Sequence, residues 1–107
     1  MDYRDTVFLA VAENISFSKA AEELFISQPA VTQHIKTLEN RLNISLFERK
    51  GNKIHLTQAG QLTYHYLKRI KHQYNELEFE LGRLNDTFKG TLRIGASQQF
   101  HNIQYHP

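Results

Sequence analysis

Ser18-Lys-Ala-Ala-Glu-Glu-Leu-Phe-Ile-Ser-Gln-Pro-Ala-Val-Thr-Gln-His-Ile-Lys-Thr-Leu-Glu-Asn-Arg-Leu42 is the most informative segment of the chain. It reads as two helices meeting at a sharp angle, with the break at Ile26-Ser27. In the first, Ala20, Ala21 and Leu24 share one helical face, and the small alanines let a second helix cross close by. Ser27 is placed to cap the second helix, because its hydroxyl can accept from an orphan backbone N–H. Pro29 falls in the first turn, where a missing N–H costs nothing. Val31, Ile35, Leu38 and Leu42 then recur at steps of 4, 3 and 4, the spacing of a buried stripe. The opposite face carries Gln28, Thr32, Gln33 and Lys36, with no acid before Glu39. Glutamine can pair bidentately with adenine in the major groove, threonine can bond a base edge or meet a thymine methyl, and lysine can hold a phosphate. A helix-turn-helix needs this arrangement, with its second helix offering N-terminal side chains to base edges. The plain alternative is a solvated polar face on an ordinary helical hairpin.

The surrounding composition narrows the choice. A chain of 107 residues suffices for one small domain with a modest core, and 40% hydrophobic with 22% charged residues is ordinary for a globular protein. The net charge of +2 does not announce nucleic acid, but the cations cluster: Arg49, Lys50 and Lys53 in one short segment, Lys68, Arg69 and Lys71 in another. There is no cysteine, hence no disulfide framework and no thiolate metal site. The start shows no apolar signal segment, and no apolar run approaches membrane-spanning length. A soluble cytoplasmic protein without a membrane partner is the expectation. His65 and His72 are two turns apart, too far for a zinc pair at i, i+4, and neither a nucleophile elbow nor a glycine-rich phosphate loop appears. No metal, cofactor, catalytic residue or enzyme activity is expected.

Upstream, Tyr3–Glu13 reads as a short, largely buried helix through Val7, Phe8, Val11 and Ala12, ended by Asn14. Ser16 or Ser18 can cap the next helix, though neither has Glu or Gln three residues on, and Phe17 is placed to plug the three-helix junction. Downstream, Ile44, Leu46 and Phe47 read as core anchors. Gly51-Asn52 is a turn between two short extended runs, and Ile54 and Leu56 alternate with Lys53 and His55 as in a half-buried strand. The result is a hairpin with a basic tip. Beside a helix-turn-helix it is a wing, able to reach phosphates or the minor groove; apart from one it is a solvated turn. Thr57 is a good N-cap, and Gly60 in the first turn costs about 1 kcal/mol of helix propensity, which points to close backbone packing. No proline interrupts the helical pattern from Gln58 to Phe88, where Leu67, Ile70, Tyr74, Leu77, Leu81, Leu84 and Phe88 step alternately by 3 and 4. A helix of ~30 residues would be ~45 Å long, more than the small domain can cover, and the simplest partner for its heptad seam is a second copy. Gly82 weakens its middle. Lys89-Gly90 is expected to break the helix, and Thr91–Ala96 reads as a strand that would begin another domain.

Several short motifs stand in a consistent order: Phe8–Glu13, Ser16–Leu24, Ser27–Ile35, Leu38-Glu39, Leu46–Arg49, Leu56–Gly60 and Gly90–Gly95. Through them the chain resembles the LysR-type transcriptional regulators. The resemblance implies a mainly α fold: a winged helix-turn-helix of three helices and a β-hairpin wing (1–57), a dimerisation linker helix (58–88), then the first strand of an incomplete effector domain and an irregular tail (89–107). It implies base-reading residues at Gln28, Pro29, Thr32 and Gln33, with Ser27 at the head of that helix. Lys36 becomes a phosphate contact, and Arg49, Lys50, Asn52 and Lys53 become wing contacts. Asn52 and Gln33 stand where the family often has arginine, and a glutamine at that second position favours adenine over guanine. Gln98–Pro107 departs from the family's pattern, as a frameshifted or prematurely stopped gene, or an expressed fragment, would produce.

The expected function is sequence-specific binding of double-stranded DNA by a homodimer, with room for higher oligomers, for transcription regulation. The helix 28–42 would enter the major groove, and the wing 49–53 would lie on the backbone or in the minor groove. A small-molecule effector is expected only if a complete effector domain exists elsewhere. The competing reading is a winged-helix and coiled-coil interaction module that heterodimerises with a full-length relative.

Overall fold

The computed structural model describes residues 1–92, with side chains through Asn85. Its elements are α1 (Tyr3–Asn14), α2 (Phe17–Leu24), α3 (Gln28–Leu42), β1 (Phe47–Lys50), β2 (Lys53–Leu56) and α4 (Gln58–Leu92). This is the mainly α, winged helix-turn-helix architecture expected from the sequence, followed by a long helix.

Asp2 starts α1. Its carboxylate accepts from the Arg4 N–H at 3.1 Å, while the Asp5 carboxylate accepts from the Asp2 N–H at 3.2 Å, closing a reciprocal capping box. Aspartate replaces the usual Glu or Gln at the third helical position, which is why the pattern is easy to overlook in the sequence. Val7 to Ala12 are all buried, so α1 is enclosed on every side rather than along one stripe. Helices α1, α2 and α3 each pack against the other two. Ser16, not Ser18, caps α2, its hydroxyl accepting from the Lys19 N–H at 3.0 Å. Helix α2 buries Ala20 and Ala21, the small side chains that permit the close crossing.

The turn of the helix-turn-helix is tight. Helix α2 ends at Leu24, and Phe25 enters the left-handed region at φ 58°, ψ 42°. Ser27 then caps α3, accepting from the Ala30 N–H at 3.2 Å. Val31, Ile35 and Leu38 are buried as expected, but Leu42 is 44% exposed and Ile44 is 51% exposed. Two expected core residues therefore lie outside. The reason is the cap: Asn43 turns left-handed at φ 57°, and the Ile44 N–H bonds back to the Glu39 carbonyl at 3.1 Å. Ile44 thus belongs to the capping turn, and Leu46 is the residue that enters the core, fully buried.

Strands β1 and β2 pair antiparallel in the register Phe47↔Leu56 to Lys50↔Lys53 around Gly51, which takes φ 64° as a tight turn requires. Ile54 is buried, and the Phe47 ring packs on Phe8 and Phe17 at centroid distances of 5.3 and 5.7 Å. The wing's base is therefore part of the core.

Thr57 joins wing to α4. Its hydroxyl accepts from the Gly60 N–H at 3.0 Å and donates to the Ser45 carbonyl at 2.7 Å. Gly60 sits against the Leu46 carbonyl oxygen with no room for a Cβ, the close packing its position implied. Leu67 packs partly on the domain core, and Glu13 accepts from Lys68 Nζ at 3.0 Å and Tyr64 Oη at 3.3 Å, tying α4 to the end of α1. Residues 1–71 form one compact unit, and a second begins at His72. The break expected at Lys89-Gly90 is not observed, because α4 continues to Leu92. Glycine lowers helix propensity but, unlike proline, keeps its N–H. The rest of the expected strand, Arg93–Ala96, the tail to Pro107 and the Phe88 side chain lie outside the described residues.

Candidate nucleic-acid interface

The N-terminus of α3 is exposed. Gln28 and Pro29 open the helix, and the Ser27 hydroxyl is occupied in capping it. Gln33 and Lys36 are exposed and Thr32 is half-buried, while Val31 and Ile35 anchor the opposite face. The helical period that buries one face thus delivers the other to solvent. Gln33 donates from Nε2 to the Thr37 Oγ1 at 3.2 Å, an exposed bond that a base edge can replace.

The wing adds its cations from a distance in sequence. In the hairpin register Phe47, Arg49, Ile54 and Leu56 share the inner face, while Glu48, Lys50, Lys53 and His55 alternate outward. Arg49 is the inner-facing cation. It lines two clefts between wing and bundle. One, of about 170 Å³, is bounded by Thr32, Lys36 and Glu39 of α3 and by Phe47, Glu48 and Ile54 of the wing. The other, of about 440 Å³, is bounded by Gln28, Asn52 and Lys53, and by Ser16 and Ser18 at the start of α2. The fold therefore brings Gln28, Thr32, Lys36, Arg49, Asn52 and Lys53 onto one connected surface.

Not every candidate joins it. Ser27, Pro29 and Gln33 line neither cleft and stand at the exposed head of α3. Lys50 lines neither, and its ammonium lies 3.8 Å from the Glu48 carboxylate, which offsets part of the wing's charge. Ser16 and Ser18 do line a cleft, although their sequence position marks them only as capping candidates. No local signal places them there, since their approach to the wing depends on the packing of α2 against α1 and α3.

A three-helix bundle with a capped, polar third helix and a basic hairpin beside it is a winged helix-turn-helix, an architecture whose third helix is built to read a duplex. The model of the bacterial regulatory helix-turn-helix proteins of the lysR family matches residues 6–61, and the chain belongs to that family. It is 49% identical over 92 residues to a probable RuBisCO transcriptional regulator of Thalassiosira pseudonana, covering 86% of this chain and 30% of that protein. It is 43% identical over 91 residues to the RuBisCO operon transcriptional regulator of Allochromatium vinosum, covering 85% and 30%. The chain thus spans under a third of the length of these curated relatives, which are regulators rather than enzymes. Among solved structures, the BenM DNA-binding domain in complex with catB site 1 DNA is similar with a TM-score of 0.74 and 32% identity, covering 78% of this chain and 96% of that one.

Proposed function

We propose that the chain binds double-stranded DNA sequence-specifically as a homodimer and serves transcription regulation in the cytoplasm. The observation that carries this reading is the surface shared by α3 and the wing, with Arg49 lining both clefts between them. Gln28, Pro29, Thr32 and Gln33 read base edges in the major groove, Lys36 holds a phosphate, and Arg49 and Lys53 neutralise the adjacent backbone.

Dimerisation falls to α4, whose seam residues Ile70, Tyr74, Leu77, Leu81 and Leu84 are 41–67% exposed. The charge pattern sets the polarity of pairing. Lys68, Arg69 and Lys71 precede Tyr74, and Glu76, Glu78 and Glu80 follow it. Antiparallel helices oppose unlike charges, whereas parallel ones align like charges.

The test is binding to random duplex DNA across a salt series, with molar mass measured in parallel. Dimeric mass and an affinity falling steeply with salt are expected, because each phosphate contact releases counterions. Dimeric mass without DNA binding would favour the interaction module instead.

A further inference from the structure

Glu39 is an acid on the wrong face. It lies three residues beyond Lys36 and seven beyond Thr32, so all three share one side of α3 and line the same cleft toward the wing. A free carboxylate there would repel the DNA backbone. The structure gives it a different role. Its Oε2 accepts from the Leu46 N–H at 2.7 Å and from the Phe47 N–H at 3.3 Å, at the point where β1 begins. Among the described residues these are the hydrogen bonds that join α3 to the wing. The same short segment is held from the other side, where the Leu46 carbonyl accepts from the Thr57 N–H at 3.0 Å and the Ser45 carbonyl accepts from the Thr57 hydroxyl at 2.7 Å. With the Leu46 side chain fully buried, the entry to the wing is gripped between the recognition helix and the first turn of α4.

We infer that Glu39 is a positioning residue for DNA binding: it sets the wing against the recognition helix so that the wing cations meet the backbone in step with the base-reading residues. Glu39 touches no DNA itself. The inference rests on the DNA-binding reading above. Charge-assisted bonds from a carboxylate to backbone N–H groups are short and directional, which suits them to fixing an angle between two elements.

The test is a double-mutant cycle on the full chain, read as the salt dependence of binding to random duplex DNA. Glu39→Asp is the main variant. It keeps the charge but retreats by one methylene, so any change reflects geometry and not a lost repulsion. Glu39→Ala removes the group, and Glu39→Gln restores an acceptor oxygen at the original reach. In the unaltered chain Lys53→Ala should lower the salt slope by about 1. Glu39→Asp should lower it by about 2, one for each of Arg49 and Lys53, and Lys53→Ala should then add nothing, because a misplaced wing has no contact left to lose. Glu39→Gln should recover most of the slope. Circular dichroism establishes that each variant is folded; if Glu39→Ala is not, Glu39→Asp and Glu39→Gln carry the test. Additive losses, or an unchanged slope in Glu39→Asp, overturn the positioning role. Failure of the unaltered chain to bind DNA overturns the DNA-binding reading, and this role with it.

Discussion

Phe25 holds a left-handed backbone at φ 58° while 93% of it is exposed, so the fold bears the strain without burying the ring. For a bulky residue that conformation costs about 1–2 kcal/mol, whereas asparagine tolerates it, as Asn43 does at the end of α3. Phe25→Asn is therefore expected to raise stability by about 0.5–1 kcal/mol in urea unfolding. A loss of stability would show that the ring packs against something in the folded chain. Gly60 presents the opposite case. Alanine would gain about 1 kcal/mol of helix propensity. Its Cβ would also overlap the Leu46 carbonyl oxygen, a backbone atom that cannot swing aside. Overpacking costs about 1–3 kcal/mol and should win, so Gly60→Ala should lower the unfolding midpoint; a higher midpoint would show that α4 can shift at no cost. The constraint on Gly60 was legible in the sequence, because a glycine in a first helical turn runs against propensity. The strain at Phe25 was not, because nothing local distinguishes an exposed phenylalanine from a buried one.

Helix α4 contains two kinds of apolar residue. Leu67 packs partly on the domain core, and Glu13 holds Lys68 and Tyr64 beside it. From Ile70 to Leu84 the seam is open. Its periodicity was plain in the sequence, but periodicity alone could not say which seam residues serve the domain and which await a partner. Leu77→Glu is expected to weaken the dimer at least tenfold, by about 1.4 kcal/mol or more. At concentrations where both proteins are monomeric, the same substitution should leave thermal unfolding within about 0.5 kcal/mol of the original, because Leu77 lies outside the compact unit of residues 1–71. Sedimentation velocity over a concentration series would check this, and an undiminished dimer would place the interface elsewhere.

At the scale of the whole molecule, the proposed DNA surface is assembled from three remote segments: the start of α2, the first turns of α3, and the wing. Base reading falls to α3 and, Lys36 apart, phosphate binding falls to the wing, so the two should separate experimentally. Gln33→Ala should cost about 1–3 kcal/mol at a cognate site and relax preference at one base position, with little change on random duplex. Unchanged affinity and base preference would return Gln33 to an ordinary polar face. Net charge, being small, carried little of this reading; the clustering of cations at the wing carried more.

The sequence alone determined the three bundle helices, the caps at Ser27 and Thr57, and the hairpin. Those features depend on residues within a turn or two of one another: Ser27 on Ala30, Gly51 on its own φ, Ile54 and Leu56 on strand alternation. Tertiary structure alone decided that Ser16 and Ser18 would border the wing and that the Glu39 carboxylate would meet the Leu46 and Phe47 amides. Burial and partnership at these positions are set by segments far apart in the chain, and the closing of α1, α2, α3 and the wing around one core is what brings them together.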